Sequence, residues 1–196
     1  MEFLDRLQNF SFANEADVEL RLIQPLLAAL GYSDNDKASL ERAFAAIGKV
    51  DAIVSAAGGA VFKPLSALTD ADFEKCLHDK LMGQVNIVRI GWQYIRPGGS
   101  ITITSGALAH EAMPGAAAIS MVNAGLEGFG RAAALELINE RVRVNVVSPP
   151  WVTETLIAYK MDPAPGMPAA EVAKAYLKSV EGDATGSSSM LGKFSN

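Results

Sequence analysis

Several side chains in this sequence have the type and placement to carry chemistry. Ser105 closes the run Ser100-Ile-Thr-Ile-Thr104, and parallel strands present their ligand sites at such C-terminal ends. The alternative is a hydroxyl bonded to a neighbouring backbone group. Lys80 lies in a long helical stretch, where an amine is either a ligand-directed donor or a solvated surface charge. His110 and Glu111 fall in the loop after the 100–104 run, where a lid would sit. They make either an acid/base pair or two isolated surface charges. Cys76, beside Leu77 in a helical pattern, reads as a small buried hydrophobe rather than a reactive thiol.

The elements that must position these residues follow from the spacing of apolar positions. Asn14 can cap a helix carrying Val18, Leu20, Leu22, Ile23, Leu26, Leu27 and Leu30, with Pro25 kinking it and Gly31 ending it. A polar turn at 33–36 opens a second helix through Ala46. The pattern then changes. Asp51-Ala-Ile-Val-Ser55 is a short buried strand running into Ala56-Ala57-Gly58-Gly59. Thr69-Asp70 begins a long helix to about Tyr94, with Thr69 and Phe73 in cap-like spacing, and Pro97-Gly98-Gly99 breaks it. Residues 100–104 form a second, β-branched strand, 116–139 a helix, 141–147 a third strand and 169–180 a last helix. Strands separated by helices pair in parallel through right-handed crossovers, with both sheet faces covered. The expected architecture is a three-layer α/β sandwich around a parallel sheet. Residues 1–36 are expected as a helical N-terminal segment, 37–186 as the α/β domain and 187–196 as a flexible tail.

Composition narrows the classes. A chain of 196 residues with 49% apolar side chains favours one domain with a sizeable core. The net charge of −5 argues against a nucleic-acid face or an anionic-membrane face. Arg131 and the Arg141/Arg143 pair read as solvated edges. One cysteine allows neither an intrachain disulfide nor a multi-cysteine metal site, so no metal is expected. No window approaches the roughly 18 apolar residues that span a bilayer, and Met1-Glu2-Phe3-Leu4-Asp5-Arg6 lacks the pattern of a signal peptide. A cytoplasmic, reducing setting is the expectation.

The order of motifs has a family likeness. Asp51-Ala-Ile-Val-Ser-Ala-Ala-Gly58 resembles the strand and turn ending in Asn-Asn-Ala-Gly in short-chain dehydrogenases/reductases. Gly99-Ser-Ile-Thr-Ile-Thr-Ser105 is similar to the strand that carries their catalytic serine. Asn123-Ala-Gly-Leu-Glu-Gly-Phe-Gly-Arg-Ala-Ala-Ala-Leu-Glu-Leu137 resembles the helix that follows their catalytic Tyr-x-x-x-Lys motif. Arg141-Val-Arg-Val-Asn-Val-Val-Ser-Pro149 matches the strand leading to their Pro-Gly turn. The resemblance implies a Rossmann-like domain and NAD(P)-dependent oxidation or reduction of a small alcohol or carbonyl compound. It assigns Ala56, Ala57 and Gly58 to the adenosine, Pro149 and the Val152 N–H to the nicotinamide, and Asn123 to the cofactor side. Ser105 and Lys80 remain as the catalytic candidates, with Lys80 approaching the ribose. Homo-oligomers built on long helices are common in such proteins, and one is expected here.

The departures from that pattern are chemical. Alignment places Ile119 where the tyrosine belongs, Asn123 where the lysine belongs and Lys80 where a helix asparagine belongs. Isoleucine donates no proton. No strand, glycine-rich loop and helix stands near the start, so the first βαβ unit is expected to be missing or replaced by helices. Without it, the edge of strand 51–55 is expected to pair with another chain or to leave the fold marginal. Residues 12–32 instead weakly resemble the start of type I restriction-enzyme nuclease subunits, without a nuclease motif. Ser187-Ser-Ser-Met-Leu191 lacks the alternation of a further strand. Three readings follow: an NAD(P)-dependent oxidoreductase, with the cofactor bound weakly or not at all; an inactive scaffold or nucleotide-binding protein; or a passenger docked through residues 1–31. The substrate-selecting loop is expected between Val152 and Pro168. Trp92 and Trp151 read as packing or interface residues.

Overall fold

The computed structural model describes residues 37–191. The N-terminal helix, its nuclease-like resemblance and residues 192–196 of the tail lie outside the described residues. Helix α1 (Lys37–Ile47) buries Ser39, Leu40, Ala43 and Phe44, one stripe at helical spacing. Strand β1 follows at Val50–Ser55. Helix α2 (Asp70–Cys76) begins with a capping box. The Thr69 hydroxyl accepts from the Asp72 N–H, and the Asp72 carboxylate accepts from the Thr69 N–H. The reciprocal partner is therefore Asp72, not Phe73.

The long helix expected to about Tyr94 has a break in its regularity. Between α2 and α3 (Gly83–Gly91), residues Leu77–Met82 form a π-helical turn, and Trp92–Tyr94 finish in a 3-10 turn. Strand β2 runs Ile95–Thr104 and starts earlier than expected. Pro97-Gly98-Gly99 interrupts its pairing rather than preceding it: Val50 pairs with Ile95, but Ala52 already pairs with Ser100. Helix α4 is Ala117–Glu136, β3 is Arg143–Ser148, α5 is Thr153–Ala158 and α6 is Ala169–Glu181. Helix α5 forms inside the expected substrate loop.

A short strand β4, Ser188–Met190, pairs in parallel with β3. This corrects the expectation of a tail without a strand. An edge strand needs backbone partners more than apolar alternation. Here the Val146 N–H donates to the Ser187 carbonyl, the Leu191 N–H to the Ser148 carbonyl, and the Ser187 N–H to Asn145 Oδ1. Gly186, at φ +70, supplies the left-handed turn before it.

The sheet order is β1-β2-β3-β4, all parallel. Among the described residues, no strand lies on the outer side of β1. One face holds the core: Ile101, Ile103, Val144 and Val146 are essentially buried and pack with Val88, Leu126, Ala133 and Ala134 from α3 and α4. Each such side chain contributes about 1.5–3 kcal/mol by leaving water. The other face is polar, which the apolar look of the strands conceals. Thr102 bonds Ser179 and Thr104 bonds Tyr176, both on α6, each at 2.7 Å. Arg143 is no solvated edge: its guanidinium donates to the Ser179 and Val180 carbonyls at 2.7 Å, closing the negative C-terminal end of α6. Helix α1 packs Leu40 and Phe44 against Ile90 and Tyr94, the two rings stacked at 5.5 Å.

Two glycines of α4 test this packing with opposite signs. A Cβ on Gly130 would run into the Val146 methyl beneath the helix, whereas one on Gly128 meets nothing within 4 Å. Gly130→Ala is expected to lose about 1–3 kcal/mol through overpacking. Gly128→Ala is expected to gain about 0.5–1 kcal/mol through helix propensity. Urea unfolding of both variants measures the two signs.

Candidate active site

Parallel pairing brings the ends of β1, β2 and β3 to one edge, and each continues into a loop there. The β1 loop carries Ala56, Ala57 and Gly58, all half-buried. Gly58 sits at φ +118, and a Cβ on it would come within 2.7 Å of the Lys80 Cα. Glycine is therefore required twice, by conformation and by contact. The approach locks the β1 loop onto the π-helical turn, and π turns recur at functional sites because they re-aim the side chains they carry.

Lys80 is the side chain re-aimed. Its stem is half-buried, and its Nζ donates to the Ser105 carbonyl at 3.2 Å. Burial draws its pKa from the usual lysine value down to about 8, opposed only by a nearby Cys76 thiol. Ser105 is buried, and its hydroxyl donates to the Asn123 carbonyl at 3.0 Å. Asn123 is 1% exposed, and its Oδ1 has no hydrogen-bond partner. Its Nδ2 lies over Gly106, where a Cβ would come within 2.8 Å. Lys80, Ser105, Asn123 and Gly58 thus form one contiguous group, as the spacing of the sequence motifs suggests.

The remaining expected residues surround this group. The Pro149 carbonyl accepts from the Ala107 N–H at 2.8 Å, tying the loops after β2 and β3 together. Val152 bridges to Met167; the Thr153 N–H donates to the Met167 carbonyl and the Met167 N–H to the Trp151 carbonyl. The Trp151 ring tilts against Phe62 at 5.3 Å, so it packs between the β1 and β3 loops. Ile119, half-buried in the first turn of α4, brings no proton donor. Lys63 and Asp72 pair at 2.7 Å, and the lysine bond holds the Asp72 carboxyl down to about 2. This pair fastens the β1 loop to the start of α2.

Two functional supports are not evident in the sequence. Gln84, 1% exposed, donates to the Thr104 carbonyl and accepts from its N–H, both at 2.7 Å. Its amide stands in for a neighbouring strand at the end of β2, fixing where Ser105 begins. Glu127, buried one turn after Asn123, accepts from the Ser148 hydroxyl at 2.7 Å and lies 2.7 Å from His110 Nε2. The partner of His110 is thus Glu127 rather than Glu111. The signal in both cases is a polar residue on the apolar stripe of a helix. Among the described residues, no group of three or more His, Cys, Asp and Glu side chains is placed to hold a metal ion, and no helix is long and apolar enough to cross a membrane.

Comparison with known proteins places these residues in context. The model of a family described as enoyl-(acyl carrier protein) reductase matches residues 32–187. Hydroxynaphthalene reductase arp2 of Aspergillus fumigatus is 31% identical over 105 residues, which are 54% of this chain and 38% of that protein. The chain spans half or less of the length of the curated relatives it matches most strongly. Among solved structures, protein lin1944 of Listeria innocua superposes with a TM-score of 0.76 at 34% identity, covering 82% of this chain and 80% of that one. A small-chain dehydrogenase in complex with NADPH shares the fold at a TM-score of 0.71 and 24% identity, over 81% of this chain and 79% of that one.

The Lys80 shift has a stability consequence. A lysine with a lowered folded-state pKa penalises the fold while it is protonated in both states. The penalty is complete below about pH 8 and fades as pH rises toward the unfolded value of 10.5. Lys80→Met is expected to be more stable than the wild type at pH 7, by about 1 kcal/mol after allowance for the half-exposed stem. That advantage should shrink between pH 8 and 10.5, as read by denaturant unfolding at each pH.

Proposed function

Since this chain belongs to the enoyl-(acyl carrier protein) reductase family, within the short-chain dehydrogenases/reductases, we propose that it is an NAD(P)-dependent oxidoreductase acting on a small alcohol or carbonyl compound. The observation that carries the reading is Lys80, an amine titrating near neutrality at the strand-end edge where such sheets bind ligands. Ser105 has its proton engaged by the Asn123 carbonyl, so it positions Lys80 and Asn123 rather than reacting. Lys80 is the group that gives the carbonyl oxygen its proton in reduction and takes it back in oxidation.

The residues at this edge suit a dinucleotide. The orphaned Asn123 Oδ1 is an acceptor for a ribose hydroxyl, and Lys80 Nζ is a donor. The small loop Ala56-Ala57-Gly58 admits the adenosine side, and Pro149 and Val152 flank the nicotinamide side. When bound, the cofactor supplies or accepts the hydride. Small-molecule substrates enter between the β1 loop and the 152–168 segment, with Phe62 and Trp151 as an apolar wall. We place the protein in the cytoplasm, where the buried Cys76 thiol stays reduced. A homo-oligomer supplies cover for Met121, Leu135 and Ile138, exposed on and just after α4.

The rival reading is a fold that binds nucleotide without turnover, favoured by Ile119 in place of an acid. NADPH fluorescence on titration with protein, followed by NADPH consumption with a panel of aldehydes and ketones, separates the two. The expected result is fluorescence enhancement with turnover. The rate of carbonyl reduction should fall as pH rises through about 8, because reduction needs the protonated amine, and the rate of alcohol oxidation should rise over the same range. Lys80→Met should lower the rate by about 10²-fold or more, and Ser105→Ala by a smaller factor. Binding with no consumption, unaltered in Lys80→Met, would leave the rival reading standing.

A further inference from the structure

An amine becomes a nucleophile when three conditions meet: it is partly out of water, no carboxylate fixes its charge, and a small molecule can reach it. Lys80 meets the first two, and its partial exposure bears on the third. Its stem is half-buried rather than sealed. Its Nζ has one acceptor, the Ser105 carbonyl at 3.2 Å, and none of the ion pairs among the described residues involves it. The charge-capable group that bears on it is Cys76, one turn earlier on the same rod, buried and itself accepting from the Val61 N–H at 3.2 Å. A neutral carbonyl as sole partner is lost cheaply when the nitrogen turns to a new atom.

The surroundings fit the product of such an attack as well as the attacker. Glycine at 58 leaves no side chain against the Lys80 stem, whose Cα, Cβ and Cγ it faces. Asn123, which takes the Ser105 hydroxyl on its backbone carbonyl, keeps a buried Oδ1 without a donor. Of the other described lysines, Lys37, Lys63 and Lys174 are paired with carboxylates, while the exposed Lys49 donates to the Gln93 carbonyl.

We infer that Lys80 is a reactive amine that condenses with small aldehydes at the strand-end edge. The Nζ lone pair adds to the aldehyde carbon, and the carbonyl oxygen takes up a proton to give a carbinolamine. Loss of that hydroxyl as water, with release of the remaining Nζ proton to solvent, leaves a carbon–nitrogen double bond. No oxidant or reductant is needed. The lowered pKa supports the step. About a tenth of the amine is neutral at pH 7, against fewer than roughly one in a thousand for an unperturbed lysine.

The test uses the whole wild-type chain, propanal and sodium cyanoborohydride at pH 7, with the alkylated lysines mapped by peptide mass spectrometry. Lys80 is expected to be alkylated at least about tenfold faster than the exposed Lys75 and Lys160, with a rate that rises through pH 8. Labelling of Lys80 no faster than of those exposed lysines overturns the inference. So does an adduct of unchanged yield and rate in Lys80→Arg. NADPH added before propanal reports separately on the cofactor: protection of Lys80 supports both readings. Fast labelling without protection supports the reactive amine and counts against the cofactor site.

Discussion

Everything at the strand-end edge depends on β1, β2 and β3 running parallel and in register. Because Ser55 pairs with Ile103 and Thr104 with Val147, three loops leave the sheet side by side, carrying Gly58, Ser105 and Pro149. An antiparallel neighbour would send one of these loops to the far side of the molecule. The register is held on the apolar face by Ile101, Ile103, Val144 and Val146 under α4, and a slip of one residue would exchange them with Thr102, Asn145 and Thr104. That exchange would strip apolar side chains from the core and bury hydroxyls without α6 to bond them. The two-faced character of the strands therefore specifies the geometry of the site.

What was legible in the sequence is what periodicity and order encode. The apolar runs at 51–55, 100–104 and 141–147 are close to β1, β2 and β3, and the helices expected at 116–139 and 169–180 are α4 and α6 within a few residues. The grouping of Lys80, Ser105 and Asn123 followed from motif order, since each sits at a fixed place relative to a strand end. Strand β4 was not legible because Ser188 and Ser189 contribute backbone bonds and little apolar surface, and its anchor, Asn145, lies more than forty residues away. The π turn at Leu77–Met82 was hidden for a related reason. Gly58 packs closely against it, and nothing in its own residues breaks a helical pattern. Gln84 and Glu127 were hidden because partners were needed to show that a polar residue on an apolar stripe is satisfied.

The site also shows where the fold accepts a cost. Desolvating Lys80 without a counter-ion and leaving Asn123 Oδ1 unbonded both work against stability, and both occur within one small region. Elsewhere several buried polar groups are answered: Thr102 by Ser179, Thr104 by Tyr176, Ser148 by Glu127. The buried Ser55, Ser100 and Ser188 hydroxyls are unanswered too, but a serine hydroxyl is a smaller loss than an amine held near neutrality. At Lys80 and Asn123 the proposed ligand would supply the missing partners.

The substitution of Ile119 for an acid bears on how such an edge can work. A proton carrier must titrate near the working pH and lie within reach of the reacting oxygen; it need not sit on a particular helix. In this chain the first turn of α4 carries no such group, and under the proposed reading Lys80, its pKa lowered by burial, takes the role. The backbone carbonyl of Asn123 and the amine of Lys80 meet the same serine, the first accepting from its hydroxyl and the second donating to its carbonyl. Chemistry displaced from one helix to its neighbour leaves the strand-end geometry intact, since Ser105 is set by β2 and Gln84, not by either helix's ionisable group. Under the proposed reading, then, the sheet keeps its architecture while the titrating residue stands on another helical element.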